Sequence, residues 1–330
     1  MSILVTGASG FVGSAIMRQL LDAGHEVRVL LRSNSPRDNL EGLDVEIVIG
    51  DLTGAATLKK ATAGCSALFH AAADYRLWTP NPDAMYATNV DGTRNIMRAA
   101  LDAGVQRIVY TSSVATLGIH QDGAPADEAT PSSLDDMIGH YKHSKFMAET
   151  VVKDMVAAEG LPAVIVNPST PVGPRDIKPT PTGKMILDAA RGHMPAYVNT
   201  GLNIVHVDDV AAGHLLALDK GMVGERYILG GENMSLKDIL SQTAVIAGRK
   251  PPRIRLPHNV VLPFAWIAQG FARLSGSAQP IMTVDGVRMA KKHMYYSSAK
   301  AERELAYTHR SAAEALRDAV NWFRCHGYLQ

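Results

Sequence analysis

The first half of the chain alternates short apolar runs with longer segments of mixed polarity. The apolar runs are continuous rather than alternating, which is typical of strands that are buried on both faces of a sheet. Six such runs are present, and each predicts a strand: ILVT (3–6), EVRVLL (26–31), VEIVI (45–49), ALFH (67–70), RIVYT (107–111) and AVIVN (163–167).

Segments with helical character separate these strands, at residues 11–23, 55–63, 84–103 and 141–158. Three of them stop at a glycine, namely Gly24, Gly64 and Gly104, as helices commonly do at their C-terminal ends. A repeated order of strand and helix predicts an α/β fold with a doubly wound parallel sheet, the Rossmann fold.

The pattern changes after Asn167. Residues 167–183 contain five prolines and predict a loop without regular structure. A short strand at 203–205, a helix from near Asp208 and the run RYILGG (226–231) predict a return to the sheet. We therefore assign residues 1–167 and about 204–231 to a dinucleotide-binding domain, and about 168–203 and 232–330 to a smaller, mostly C-terminal substrate-binding part.

Composition excludes several classes of function. The 330 residues are 46% hydrophobic and carry a net charge of +1, which gives no sign of a nucleic-acid partner. Cys65 and Cys325 lie far apart without metal-ligand spacing, which argues against disulfides and a metal site and fits a cytoplasmic protein.

The first residues lack the pattern of a signal peptide. The apolar stretch 259–274 is too short and too interrupted for a transmembrane helix.

The turn TGASGFVG joins the first strand to the first helix and contains Gly7, Gly10 and Gly13. Glycines here allow a tight turn, a close approach of backbone to a pyrophosphate and tight packing of helix on strand. The start of the helix then offers free N–H groups to the phosphates. Because the turn follows a strand and opens a helix, it predicts a dinucleotide site.

The second strand ends at Arg32, where NAD-binding proteins usually place an acidic residue on the ribose 2′-hydroxyl. A guanidinium, helped by Ser33 and Arg37, can instead pair with a 2′-phosphate, so we predict NADP as the cofactor, with NAD as the alternative.

Asp51, after the third strand, is placed to accept a hydrogen bond from the adenine amino group. The alternative for Asp51 is a helix N-cap.

The stretch YKHSK places Tyr141 and Lys145 one helical turn apart, on the same face of a predicted helix. A nearby ammonium favours the ionised form of a phenol, so we expect Lys145 to lie beside the Tyr141 oxygen and to lower its pKa. Such a tyrosine can exchange a proton with a substrate hydroxyl.

Taken in order, the segments TGASGFVG, GDL, HAAA (70–73), TNVDGT, TSS (111–113) and YKHSK resemble the extended short-chain dehydrogenase/reductases over nearly the whole chain. Within that group, HAAADYRLW, YTSSVATLG and NPSTPVGP are most similar to hopanoid-associated sugar epimerases, which are related to dihydroflavonol 4-reductases.

The resemblance implies a catalytic set of Ser113, Tyr141 and Lys145, with Asn89 supporting a water or proton path. Ser112 is the rival for the serine role. Lys145 would also bind the nicotinamide ribose. The residues expected to bind the cofactor are Gly7, Ser9, Gly10, Phe11, Val12, Gly13, Arg32, Asp51, Leu52, Ala71, Ala72, Ala73, Tyr141, Lys145 and Pro168.

The loop after the fourth strand is expected to face the crevice and to contact substrate. The substrate candidates in this loop are Tyr75, Arg76 and Trp78, and Ser113 after the fifth strand is a further one.

Other polar residues have simpler interpretations. His70 is expected to be a core or loop histidine rather than an acid. Asp208 and Asp209 are expected to cap a helix.

Three functions fit this sequence. The resemblance implies a sugar epimerase that oxidises an alcohol and reduces the ketone on its other face. The alternative is an NADPH-dependent ketone reductase of the dihydroflavonol 4-reductase type, and a third is a non-catalytic redox sensor. Nucleotide-sugar enzymes of the group commonly carry RPxxVYGP, where this chain has Asn167 and Val172 at the Arg and Tyr positions.

The resemblance also bears on the partners of the protein. The expected substrate is a small-molecule or lipid-linked sugar, polyol or ketone. The stretch 259–274 is expected either to form an apolar lid or to rest peripherally on a membrane, although packing within the substrate-binding part also explains such a run. Helices after the fourth and fifth strands build dimers in the resembling family, which implies a homodimer.

Overall fold

The computed structural model describes residues 2–275 and 283–329, with residues 272–275 described by their backbone alone. The strands in these ranges are β1 (Ile3–Thr6), β2 (Val27–Leu31), β3 (Glu46–Ile49), β4 (Ala67–His70), β5 (Arg107–Thr111), β6 (Ala163–Pro168), β7 (Thr170–Val172), β8 (Ala196–Val198), β9 (Gly201–His206), β10 (Arg226–Leu229), β11 (Glu232–Ser235), β12 (Ile254–Leu256) and β13 (His293–Met294).

The helices are α1 (Phe11–Asp22), α2 (Ala55–Thr62), α3 (Pro82–Tyr86), α4 (Gly92–Asp102), α5 (Gly139–Glu159), α6 (Pro181–Ala190), α7 (Val207–Lys220), α8 (Leu236–Ile246), α9 (His258–Ser275), α10 (Val284–Met289), α11 (Ala299–Leu305) and α12 (Ala312–Cys325). None of these helices is both long enough and apolar enough to cross a lipid bilayer.

Seven parallel strands form the main sheet in the order β10-β6-β5-β4-β1-β2-β3. Helices α1 and α7 cover one face, where Ile3 and Val5 of the central strand β1 are buried. Helices α2, α4 and α5 cover the other face, where Leu4 is buried. Because both faces are packed, the strands need apolar residues at consecutive positions, and the predicted doubly wound sheet is confirmed.

The six strands predicted between residues 3 and 167 agree with the observed ones to within one residue at each end. The glycines after the first helices adopt the left-handed conformation that ends a helix, with φ of +80° at Gly24, +71° at Gly64 and +70° at Gly104. Strand β3 differs from the prediction, because it lies at the edge of the sheet and exposes Ile47 and Ile49.

A second sheet contains β11, β9 and β13, with β7 paired to β9. Two predictions were wrong here. The run at 203–205 belongs to β9 in this second sheet rather than to the main sheet, whereas α7 and β10 do return to it. The proline-rich stretch contains β7 and the start of α6, because Pro181 stands in the first turn of the helix, where no backbone N–H is needed.

The mostly C-terminal part has its own core, formed where α6, α8 and α12 pack on the second sheet. A separate apolar cluster joins α9 to α10 through Val261, Ala265, Val284 and Val287. The second sheet adjoins the carboxyl ends of the main strands, because β7 follows β6 after a single residue. In open α/β sheets, that edge is where the ligand crevice forms.

Candidate active site

The glycine turn between β1 and α1 leaves no room for side chains. Gly7 has a φ of +77°, and a Cβ on it would lie 2.7 Å from the Ala72 backbone nitrogen. A Cβ on Gly13 would lie 2.2 Å from the Gly7 carbonyl oxygen. The N-cap of α1 is Gly10, and no side chain caps it. Phe11 and Val12 are the first residues of α1, and Ser9 precedes the N-cap. The N–H groups in this first turn are therefore available to a phosphate.

The chain leaving β4 runs beside this turn. The backbone N–H of Ala71 donates to the Thr6 carbonyl, and that of Ala72 donates to the Thr6 hydroxyl, each at 3.3 Å. The predicted cofactor residues after β4, including Ala73, thus lie next to the glycine turn. Pro168, the last residue of β6, is buried at the same edge of the sheet.

Asp51 forms a turn rather than a helix cap. Its Oδ1 accepts from the Thr53 N–H at 2.9 Å and from the Thr53 hydroxyl at 2.8 Å, and these bonds lower the pKa of the carboxyl. Gly54 is the residue at the N-cap of α2, so the capping alternative was wrong. Leu52 is buried against Gly92 at the start of α4.

Arg32 is exposed directly after β2, as are Ser33 and Arg37. The positive charge of Arg32 contributes to lowering the pKa of Asp51 and of Asp74. Asp51 follows β3 and Asp74 lies in the loop after β4, so the guanidinium lies in the electrostatic field of two carboxylates near the carboxyl edge of the sheet.

Ser113 and Tyr141 are brought together by the fold. Ser113 follows β5, and its hydroxyl accepts from the Ala115 N–H at 3.1 Å. The same hydroxyl lies near enough to the Tyr141 phenol on α5 to favour its ionised form and so oppose the rise of its pKa. Ser112 is buried and donates to Glu149 Oε2 at 2.5 Å, away from Tyr141. Of these two neighbouring serines, Ser113 is therefore the one whose hydroxyl lies beside Tyr141.

Lys145 does not bond to Tyr141. Its ammonium donates to the Thr111 carbonyl at 2.8 Å and to the Tyr110 hydroxyl at 3.3 Å. Burial lowers the pKa of Lys145 to about 8. Burial also raises the pKa of Tyr141, and the nearby Ser113 hydroxyl only partly opposes that rise. Our expectation that Lys145 lowers the Tyr141 pKa was therefore wrong.

Asn89 joins two parts of the site. It lies in a π-helical turn, Ala87–Asp91, that interrupts the predicted helix at 84–103. Its amide nitrogen donates to the Asp74 carbonyl and to the Ser144 hydroxyl, both at 2.9 Å, and its amide oxygen accepts from the Asp74 N–H at 2.7 Å. Asn89 thus fixes the loop after β4 against α5.

His70 is a core residue, as expected. One ring nitrogen lies 2.7 Å from the Thr6 hydroxyl and the other lies 3.0 Å from the Thr93 hydroxyl. Burial, together with the charge of Lys145, lowers the pKa of His70 to about 3, so the ring stays neutral. It stacks on Tyr110, and the Lys145 ammonium lies 4.9 Å from the centroid of the same Tyr110 ring.

Glu149 is a residue that the sequence analysis missed. It is 2% exposed, and its Oε2 accepts from the hydroxyls of Ser112 and Thr116 at 2.5 and 2.8 Å and from the Asn167 amide at 3.0 Å. Its Oε1 lies 2.6 Å from the Lys153 ammonium. These partners hold the pKa of Glu149 at about 2 despite its burial. The available signal was spacing, because Glu149 lies one helical turn after Lys145.

The loop after β4 contains the expected substrate residues. Arg76 is partly exposed and forms an ion pair with Asp74. Tyr75 is 37% exposed, and its pKa is raised by burial and by the negative charge of Asp176. Asp176 is itself buried, which raises its pKa to about 6. Trp78 is half-buried in the same loop.

Asp208 and Asp209 do not cap α7, which corrects the expectation. His206 is the N-cap, and its Nδ1 accepts from the Asp208 N–H at 3.0 Å. Asp208 pairs with Arg175, and Asp209 accepts from Arg310 at 2.7 Å. Both carboxylates stand in the first turn of the helix, where negative charge is favourable.

Comparisons with known proteins agree with this geometry. Residues 3–230 match the NAD dependent epimerase/dehydratase family. A putative dihydroflavonol 4-reductase of Synechocystis sp. is 48% identical over 99% of this chain and 95% of its own length. Sterol demethylase protein B of Methylococcus capsulatus is 35% identical over the full length of both. The crystal structure of gox2253 is 54% identical, with a TM-score of 0.90 over 100% of this chain and 99% of that one.

The family match covers more than half of the chain, and it includes both the glycine turn and the Tyr141 site. The chain therefore belongs to the NAD dependent epimerase/dehydratase family of extended short-chain dehydrogenase/reductases, and it is an enzyme that uses a nicotinamide dinucleotide.

Proposed function

We propose that the protein is an NADPH-dependent reductase that transfers one hydride per turnover to a ketone on a largely apolar substrate. The observation that carries this proposal is the burial of Asn167 and Val172, which are 0% and 2% exposed. Nucleotide-sugar enzymes of the resembling group have Arg and Tyr at these positions. Here both side chains are buried, and the Asn167 amide donates to the Ser113 carbonyl and to Glu149, each at 3.0 Å, so neither side chain is free to bind a sugar nucleotide.

The names of the relatives support a ketone or alcohol substrate that carries no nucleotide group. Both a dihydroflavonol 4-reductase and a sterol demethylase protein take their names from ring compounds of low charge. The exposed Tyr75 and the half-buried Trp78 of this loop offer aromatic surface to such a ring. Tyr75 is therefore a proposed substrate contact, together with Trp78 and Arg76.

The chemistry follows from the pair of hydroxyls. Ser113 would hold the substrate oxygen and Tyr141 would move the proton at that oxygen. Burial raises the pKa of Tyr141 above its ordinary value of about 10, so the phenol keeps its proton at neutral pH. A protonated phenol is the form that donates to a ketone oxygen during reduction.

The residues present fit a nicotinamide dinucleotide, because the glycine turn and the uncapped start of α1 form a cradle that any side chain at Gly7 or Gly13 would fill. When bound, the nicotinamide supplies the hydride. Lys145 is held at the end of β5 by Thr111 and Tyr110, next to Ser113. We propose that its ammonium binds the nicotinamide ribose and that Asn89 supports a proton path.

Arg32 is the proposed selector of NADP. Replacing Arg32 with Asp is expected to shift the ratio of NADP to NAD affinity toward NAD by about 10- to 100-fold, since hydrogen bonds to charged groups contribute about 1.5–3 kcal/mol. Titration of both nucleotides by calorimetry measures the ratio. Arg303→Asp, at an exposed position on α11, is the matched control. An unchanged ratio in Arg32→Asp would refute the phosphate pairing.

The reductase proposal is tested with NADPH that carries deuterium at the transferred position. We expect the purified protein to contain little retained nucleotide, to oxidise the labelled NADPH in the presence of an apolar cyclic ketone, and to place the deuterium on the alcohol carbon. Nucleotide retained at one equivalent per chain, with interconversion of an alcohol and no net use of NADPH, would contradict the reductase.

That second outcome would favour the other candidate, a hopanoid-associated sugar epimerase. The sequence segments YTSSVATLG and NPSTPVGP support it, because they are similar to those of that subgroup. An epimerase must keep its cofactor between oxidation and reduction, whereas a reductase exchanges it each turnover. Retention of nucleotide therefore distinguishes the two candidates.

A further inference from the structure

Helix α9 exposes a row of large apolar side chains. Phe264, Ile267 and Phe271 are 63%, 69% and 71% exposed. They lie on one helix face with Val260, because their spacing of three and four residues repeats once per turn. The opposite face is buried, where Val261 and Ala265 pack on α10. Exposed apolar surface of this kind marks an interaction site.

The sequence around this row is strongly basic. Residues 249–292 contain eight Lys or Arg and one acidic residue, a net charge of +7 in a chain whose total is +1. The basic residues are Arg249, Lys250, Arg253, Arg255, Arg273, Arg288, Lys291 and Lys292. The rest of the chain is therefore acidic overall, and positive charge is concentrated in the part of the sequence that contains α9.

Several of these charges lie at the N-terminal end of α9. Arg253 and Arg255 are exposed and lead into the helix through β12. Lys291 and Lys292 are exposed after α10, which is attached to the same end because the His258 ring lies within hydrogen-bond distance, 2.8 Å, of the Ala290 carbonyl. The apolar row thus has a cationic rim.

We propose that this surface, the exposed face of α9 with its cationic rim, docks the protein on an anionic lipid bilayer. Apolar side chains can enter the boundary between headgroups and acyl chains, while Lys and Arg attract anionic headgroups. The helix lies on the bilayer without crossing it, as its length and hydropathy require. The proposal does not depend on the reaction that the active site catalyses.

Charge also argues against a second copy of the chain as the occupant. A symmetric dimer through α9 would place the basic rim of each copy against the α9 region of the other copy, and the sequence has no acidic residue between Lys250 and Val284 to pair with it. A basic rim without a partner of opposite charge makes such an interface unfavourable. An anionic surface is complementary to this rim, and the apolar row gives it a place to insert.

The test is sedimentation of the full-length protein with vesicles of phosphatidylcholine, with and without phosphatidylglycerol. We expect binding to the anionic vesicles, weakened by salt. Phe264→Ser with Ile267→Ser should weaken that binding at least about tenfold, and Arg253→Glu with Arg255→Glu about 30-fold or more. Matched controls are Val245→Ser, at a residue 64% exposed on α8, and Lys59→Glu with Lys60→Glu on the exposed side of α2.

Two further measurements complete the test. Thermal unfolding of the Phe264→Ser, Ile267→Ser variant should match that of the wild type, because both side chains face solvent. Tyr141→Phe should bind vesicles normally, which separates this proposal from the proposed function. Absence of vesicle binding, equal loss in the control variants, or a dimer that Phe264→Ser dissociates in the absence of lipid would each overturn the proposal.

Discussion

Replacing Tyr141 with phenylalanine is expected to lower kcat by about 10²- to 10⁴-fold, the usual contribution of a positioned acid or base. The change removes one oxygen and leaves the ring that packs beside Ser113. Cofactor affinity should change little, because the phosphates would be held by the glycine turn at the other end of the site. Steady-state kinetics and a nucleotide titration on the same preparation measure both quantities.

Tyr307→Phe is a suitable control for this variant. Tyr307 is also buried, and its hydroxyl donates to the Gly230 carbonyl at 3.0 Å, a bond between structural elements. We expect this control to lose some stability and to keep its kcat. If Tyr141→Phe turned over at the wild-type rate, the proton at the substrate oxygen would have to come from another group.

Replacing Glu149 with alanine is expected to destabilise the protein by about 3–5 kcal/mol, the cost of breaking a buried ionic network by removing one partner. The change would leave Ser112, Thr116 and Asn167 without their shared acceptor. Urea unfolding of the two proteins measures the difference. Glu159→Ala is the control, because Glu159 pairs with Arg98 on the exposed side of the same fold and should have a far smaller effect.

The same carboxylate makes stability depend on pH. The pKa of Glu149 is about 2 in the folded state and about 4.3 in an unfolded chain. A lowered folded-state pKa stabilises the protein above the unfolded value, and this contribution is lost as pH falls from about 4 to 2. Wild-type stability should therefore fall more steeply over that range than the stability of Glu149→Ala. Parallel curves would mean that Glu149 is not ionised in the folded protein.

Sequence patterns predicted the parallel sheet and the glycine turn because local physics determines both. Apolar residues at consecutive positions indicate strands covered on both sides, and Gly7 and Gly13 occupy places where a side chain would meet backbone. The edge position of β3 was missed because its run VEIVI is as apolar as that of a central strand. The order of the strands in the sheet depends on how the connecting helices cross it.

The chemistry of the site was predicted less completely. Ser112 and Ser113 are neighbours in sequence, and only the turn after β5 sends one hydroxyl to Glu149 and the other to Tyr141. The sequence also suggested a direct contact between Tyr141 and Lys145. In the fold, Lys145 is drawn to the Thr111 carbonyl, and burial controls both pKa values.

By itself, the sequence determined the order of strands and helices, the dinucleotide cradle and the residues available for catalysis, because each of these depends on neighbours within a few positions. The tertiary structure decided which serine faces Tyr141, that Glu149 joins α5 to β5 and β6, and that the apolar face of α9 is exposed beside a basic rim. These features depend on groups far apart in the chain, whose distances and burial are set only when the sheet and helices pack together.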